Sequence, residues 1–479
     1  MRTYVYSVAP VPPTRVKGTN VLGVLHNRAY RRLFSAQLIA LVGTGLATVA
    51  LSLLAYDLAG ANAGSVLGTA LTIKMVAYVS VGPMVGALAA RLPRRAFLVG
   101  SDLVRAGAAL CLPFVDAIWQ VYALILLLQC ASAAFTPVFQ ATIPDVLPDE
   151  REYTRALSLS RLAYDLENLF SPTLAAALLL ATTYQGLFTG TVLGFCASAL
   201  LVLSVTLPRP SPQRRKEGFW RSTTLGARIF VATPRLRALL ALDMAVAAAT
   251  AVVLVNTIVI VRETLDRGDQ EVAIALGSFG AGSMIVALVL PRLLDRVSDR
   301  AVMLPAGFVL AATLGGAAAG SVLAPEGLLW PLLLASWVLL GAGTSLVLTP
   351  SARLLRRSCT QEDRPALFAA HFSLSHACFL LTYPAAGWLG VLVGIPTTLS
   401  VFSVVALFAS AVAVHLWRAG EPGPLTHLHT ELGPDHPHLA DAEWVGSGYR
   451  HRHEFLVDEL HPRWPRFVHT TADPGPTVA

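Results

Sequence analysis

Lysine is almost missing from this chain: Lys17, Lys74 and Lys216 are the whole complement among 479 residues. Charge of any sign is scarce, at 14 %, where soluble domains carry about 25 %. A deficit of that size excludes an ordinary globular enzyme of this length. Other signatures are absent as well. There is no Gly-x4-Gly-Lys-Ser/Thr loop, so ATP hydrolysis by a P-loop is not expected. No HExxH and no Ser/His/Asp arrangement stands out. The five cysteines, Cys111, Cys130, Cys196, Cys359 and Cys378, form no CxxC; buried small hydrophobes are the simplest reading. No enzyme activity and no cofactor are expected.

What the chain has is apolar surface. Hydrophobic residues make up 54 % and the mean hydropathy is +0.61. A spanning helix needs about 20 apolar residues. Twelve segments qualify, at 33–57, 64–90, 96–116, 121–143, 156–182, 186–207, 237–261, 271–291, 301–323, 328–350, 366–393 and 397–417. Roughly thirty polar and basic residues precede the first, so it is expected to remain as a helix rather than be cleaved as a leader. The net charge of +7 does not point to nucleic acid, because the basic residues sit in short breaks between apolar runs.

Those breaks alternate. One set holds Arg28, Arg31 and Arg32; Arg91, Arg94 and Arg95; Arg151 and Arg155; Arg292, Arg296 and Arg300; and Arg353, Arg356, Arg357 and Arg364. The other set holds no Lys or Arg except at 262–270, where acidic residues accompany Arg262 and Arg267. Basic loops stay inside, so both termini are expected in the cytoplasm of a bacterial inner-membrane protein. The polar run at the middle of the chain, with Pro208, Pro210, Pro212, Arg214, Arg215 and Lys216, can neither bury itself nor cross a bilayer. Arginines interleaved with Phe219, Trp220, Ile229 and Phe230 predict an amphipathic segment on the membrane surface.

The two halves repeat. Pro350 follows Pro137 by 213 positions, Pro384 follows Pro172 by 212, and Arg296 follows Arg91 by 205. The predicted organisation is an all-α membrane protein of two pseudo-symmetric six-helix bundles. Residues 1–32 form a cytoplasmic N-terminal segment and 33–207 the first bundle. Residues 208–236 form a cytoplasmic central loop, 237–418 the second bundle, and 419–479 a cytoplasmic tail holding eight of the twelve histidines. Parallel repeats about an axis along the membrane normal are a transporter plan.

The loop Gly86-Ala87-Leu88-Ala89-Ala90-Arg91-Leu92-Pro93-Arg94-Arg95 resembles the signature between helices two and three of the major facilitator superfamily. The likeness extends to Ser101-Asp102-Leu103-x-Arg105, to Phe135-Thr136-Pro137, to Ile143-Pro144-Asp145, and to Ser171-Pro172. Together these resemble the drug, macrolide and enterobactin exporter branch over about residues 28–417. The resemblance implies a twelve-helix fold and alternating access driven by an ion gradient. It also implies gating roles for Arg91, Arg94, Arg95, Asp295 and Arg296, and structural roles for Pro172 and Pro384. Ala90 stands where the family usually has an acidic latch residue. Asp102 with Arg105 is the expected substitute.

Charges inside the bilayer are costly, about 2.5–3.5 kcal/mol each on insertion scales, and so point to function. Lys74 lies near the middle of the second segment; it faces the central cavity or serves as a buried structural partner. Arg161 and Asp165 are four apart and can pair within one helix. Glu167 sits about 200° further round than Asp165, and a lone carboxyl at that depth is the better proton carrier. Asp243 is a gate or structural residue near the inner end of the seventh segment. His376, near mid-depth, is a core residue or a proton relay, and His371 is on a different face of the same helix. Gln129 and Asn256 are expected to make helix–helix hydrogen bonds.

The leading functional expectation is a monomeric, proton-coupled exporter of small amphipathic molecules, drug-like or siderophore-like. A second is a transition-metal exporter, motivated by His427-x-His429, His436-x-His438 and His451-x-His453 in the tail. A third is a receptor or scaffold that transports nothing.

Overall fold

A computed structural model describes residues 21–59, 63–89, 93–207 and 219–417; in the tail it describes 425–429, 439, 442–446, 448–453, 456 and 464. A short 3-10 turn (Val21–His26) leads into α1 (Arg28–Ala59), α2 (Ala63–Ala89), α3 (Arg94–Cys111), α4 (Ile118–Val146), α5 (Glu150–Leu179) and α6 (Tyr184–Leu203). After α7 (Phe219–Ala232) comes α8 (Pro234–Ala251). It continues through a π turn, Val252–Asn256, a single α turn, α9 (Thr257–Val259), and a second π turn, Ile260–Thr264. Then follow α10 (Asp269–Leu294), α11 (Asp299–Leu323), α12 (Glu326–Arg356), α13 (Arg364–Val393) and α14 (Ile395–Leu416). Ten of these spans are long and apolar enough to cross a membrane on their described residues. With α2 and α5, which lie in the same bundle, they make the twelve helices. Large apolar side chains such as Leu180, Trp388, Val391 and Phe408 are exposed on the outside, as a lipid-facing surface requires.

Local chemistry sets the helix ends. The Asp149 side chain accepts from the Glu152 N–H at 2.9 Å and starts α5. Ser298 does the same for α11 through the Ala301 N–H at 3.3 Å. Gly394, with φ of 79°, allows the reversal between α13 and α14. Asn256, at the end of the first π turn, donates to the Ala386 carbonyl at 3.1 Å, so α8 is tied to α13. That is the helix–helix role its sequence context predicts.

The repeat is visible in the packing. In the first half α1 packs on α6, α3 on α4 and α6, and α2 on α4. In the second, α8 packs on α14, α11 on α12 and α14, and α10 on α12. Even single bonds recur: Arg95 donates to the Leu203 carbonyl at the end of α6, and Arg300 donates to the Trp417 carbonyl just beyond α14, at 2.8 Å. The halves meet through the reciprocal pairs α2 with α13 and α5 with α10.

Two places differ from the sequence reading. The central helix α7 is amphipathic, but its apolar face is not left to lipid. Ile229 and Phe230 are buried, and α7 packs on α2 and α13, because two helix faces offer a drier partner than an interface. The tail adds a small sheet of order β1-β3-β2, from β1 (Leu425–His429), β2 (Glu443–Val445) and β3 (Gly448–His453).

The α10–α12 contact depends on glycine. A methyl group on Gly341 would land on the Phe279 carbonyl, and one on Gly282 on the Val338 carbonyl, whereas Gly280 has open space. Gly341→Ala is expected to destabilise the second bundle by about 1–3 kcal/mol, the usual range for overpacking. Gly280→Ala should be neutral. Thermal stability of the detergent-solubilised protein measures both, and equal melting for the two variants would contradict the close approach.

Candidate functional site

A cavity of about 600 Å³ lies between the halves, lined by α1, α2, α3, α4 and α5 on one side and by α8, α12 and α13 on the other. Lys74 of α2 and Glu167 of α5 both line it. They come from different helices, and each acts electrostatically on the other. In the sequence they were two isolated charges; the fold brings both to one cavity, as charges of opposite sign. The Lys74 ammonium also lies 5.7 Å from the centre of the Tyr78 ring. An aromatic strip continues from there, with Tyr78 5.0 Å from Phe372 and 4.8 Å from His376, ring centre to ring centre.

The second half contributes Asp243 and both helix-13 histidines. His371 donates through Nε2 to Asp243 Oδ2 at 3.0 Å, while Asp243 Oδ1 is buried without a hydrogen-bond partner. His376 donates through Nδ1 to its own helix, at the Phe372 carbonyl, 2.7 Å away. That bond leaves Nε2 as the ring's other nitrogen. Sequence spacing put His371 and His376 on different faces of one helix; both line the cavity, and the bond from His371 to Asp243, 128 positions away, was missed. No short-range signal encodes such a pair.

Arg105 also reaches the cavity wall. It pairs with Asp102, which in turn accepts from Ser198 at 2.8 Å. Its guanidinium lies 4.4 Å from the Phe135 ring centre and 4.5 Å from that of Phe195. This pair therefore stays inside the first half. Arg161 donates to Ser283 of α10 at 3.0 Å, across the halves. The side chains of Asp165 and Pro172 lie outside the described residues, as does Arg91, so the Arg161–Asp165 pairing is not addressed.

The contacts that close the arginine-rich face are built twice, with their charges inverted. In the first half, Arg94 at the start of α3 pairs with Asp145 near the end of α4. Asp145 then crosses to Arg364 at the start of α13, at 2.6 Å, and to Gln361 at 3.1 Å. In the second half, Asp299 at the start of α11 faces Arg353 and Arg357 at the end of α12, at 3.5 and 3.1 Å. Those arginines cross to Glu150 at the start of α5, at 2.7 and 2.6 Å. The Glu150 contacts are ionic by proximity more than by hydrogen-bond alignment. Asp295 adds an exposed contact to Arg151 at 3.4 Å, and the Arg296 side chain is exposed. Tyr153 donates to the Ala352 carbonyl at 3.2 Å, beneath Arg356, which donates to the Pro148 carbonyl at 2.6 Å. Sequence reasoning quoted Asp145 in a motif but gave it no role; only the third dimension puts α4 and α13 together. Just beyond α12, burial pushes the Cys359 thiol up, so it stays protonated and unreactive at neutral pH.

A cavity lined by charged and apolar side chains between two repeated six-helix bundles, in a chain with an apolar exterior, defines a multi-pass membrane transporter. The family model described as Major Facilitator Superfamily matches residues 33–260 and again 244–457. The chain belongs to that family, whose members carry small molecules across membranes and are not enzymes. Among curated relatives, macrolide efflux protein A of Enterococcus faecalis is 26 % identical over 153 residues, covering 30 % of this chain and 47 % of that protein. The match thus spans about half of that relative. An uncharacterized MFS-type transporter of Bacillus subtilis, YfiS, is 22 % identical over 320 residues, 65 % of this chain and 76 % of its own. Of solved structures, the human organic anion transporter MFSD10 superposes with a TM-score of 0.69 at 14 % identity, covering 81 % of this chain and 99 % of its own. A bacterial homologue of the iron transporter ferroportin, in an outward-facing state, gives 0.67 at 13 %, with the same coverage. At such identities the structures establish the fold alone.

Proposed function

We propose that this secondary transporter is a proton-coupled exporter of small amphipathic molecules in the bacterial inner membrane. Its arginine-rich face and both termini are cytoplasmic, by the basic-inside rule, and it works as a monomer. The observation that carries the reading is that Lys74 and Glu167, charges of opposite sign, line one cavity between the halves, with the Asp145–Arg364 contact joining the halves at the arginine-rich face. Protonating Glu167 removes the partner charge of Lys74 and frees it for another contact. A change of charge state at mid-membrane is a way to couple an ion gradient to the orientation of two halves. Tyr78, Phe372 and Phe379 give the cavity apolar wall, which suits a substrate part polar and part flat. The half-length match to a macrolide efflux protein supports export.

Purified protein in liposomes tests this. An imposed pH gradient should drive movement of amphipathic probes drawn from macrolides, cationic dyes and siderophores, and a protonophore should abolish it. Transport of all probes at the same rate with and without the gradient would overturn proton coupling.

A further inference from the structure

The tail beyond α14 carries eight of the twelve histidines. Six of the eight form three His-x-His pairs, and the fold treats those pairs differently. β1 and β3 pair antiparallel, in a register that sets His427 directly opposite His451. His429 falls opposite Tyr449, and His453 opposite Leu425. Alternate strand positions share a face, and so do directly opposed ones. Positions 427, 429, 451 and 453 therefore all fall on one face of the ribbon. The other face takes positions 426, 428, 450 and 452, and there Arg450 meets Glu443 of β2 at 3.7 Å. The histidine face ends on an aromatic pair, Tyr449 and Trp444, with ring centres 4.8 Å apart. His436 and His438 lie outside the described residues.

We propose that this face is a transition-metal site, with His427 and His451 as its central ligands and His429 or His453 as the third. Imidazole is a preferred ligand for Zn²⁺, Ni²⁺, Co²⁺ and Cu²⁺. Directly opposed residues have Cβ atoms about 4.5–5.5 Å apart, a span two imidazoles bridge through one ion at about 2 Å from each nitrogen. Each outer histidine is a diagonal neighbour of the central pair, about 7–8 Å away. Positions 429 and 453 stand at opposite ends of the ladder, about 13 Å apart at roughly 3.3 Å per residue. Both cannot join the same ion, so the site holds three imidazoles and leaves a position for water. Its occupancy does not depend on what the cavity carries.

The test is calorimetric titration of full-length, untagged, metal-stripped protein in detergent with Ni²⁺, and separately with Zn²⁺. One ion per chain is expected. Threonine keeps strand propensity, so His427→Thr with His451→Thr removes the central ligands and leaves a residue suited to the ladder. That variant should lose about a hundredfold or more in affinity, since affinity follows ligand count. His429→Thr and His453→Thr should each cost under about tenfold, because one replaces the other; together they should cost more than the two single losses combined. His436→Thr with His438→Thr should bind as the unaltered protein does. No binding to the unaltered chain overturns the site. So does equal weakening from the 436/438 and 427/451 replacements, which would mean independent chelating pairs in place of one cross-strand site.

Discussion

Glu167→Gln is expected to leave protein abundance at the wild-type level and remove gradient-driven transport, leaving downhill exchange. Glutamine keeps the volume and the hydrogen-bonding capacity but cannot change charge. The side chain lines an open cavity rather than a packed interface, so the fold has little stake in its charge. Lys74 does have a stake, since Glu167 is the carboxylate that acts on it. Coupling between two sites is typically about 1–3 kcal/mol, or about 5- to 150-fold. The gradient-dependent part of the rate should fall by that factor, in liposomes with an imposed pH step. Lys74→Met should give a similar loss by the opposite route, leaving Glu167 without its cation. Wild-type gradient-driven rates in both variants would remove the pair from the coupling mechanism.

The second large effect is expected at the inter-half contacts. Arg364→Gln should raise opening of the arginine-rich face, and Glu150→Gln should raise it less. Burial decides the order. The Asp145 side chain is 1 % exposed and Arg364 15 %, while Glu150 is 40 % and Arg357 44 % exposed. A hydrogen bond to a charged group contributes about 1.5–3 kcal/mol, whereas an exposed ion pair contributes about 0–1. Asp145 keeps Arg94 when Arg364 is removed, so no charge is stranded and the first bundle stays intact. The open population should therefore rise about 10- to 150-fold for Arg364→Gln and only a few-fold for Glu150→Gln. The measurement is thiol labelling of Ser351→Cys, a buried cavity position, by an impermeant reagent applied at the arginine-rich face, with the native cysteines replaced. Unchanged labelling in Arg364→Gln would show that these contacts do not hold the face shut. A larger effect from Glu150→Gln would show that burial ranks them wrongly.

The depth of Lys74 and Glu167 was legible in the chain because charge inside a twenty-residue apolar run has one dimension of meaning: how far it lies from the nearest polar break. That they line one cavity was not, since α2 and α5 are separated by about ninety positions and no periodicity relates them. The same holds for His371 with Asp243, and for Asp145 with Arg364. Asp102 and Arg105 were expected to stand in for a missing latch residue. Three apart on one helix, they pair with each other, as i,i+3 neighbours can. The tail histidines were visible as three equivalent pairs. A strand register, fixed by which backbone groups hydrogen-bond, made two of the pairs neighbours.

By itself, then, the amino-acid order determined the class, the twelve spans, the duplication and the basic face. These follow from hydropathy, segment length and loop charge, all of which are local sums along the chain. Only the tertiary structure decided which charges meet, because an ion pair depends on a few ångströms between helices. Such distances are set by how closely backbones approach, as Gly282 and Gly341 allow between α10 and α12. It also revealed that the two inter-half contacts are charge-inverted copies, Arg94–Asp145–Arg364 against Asp299–Arg357–Glu150. Duplication preserved the helix ends that meet, and complementarity required only that the facing charges differ in sign.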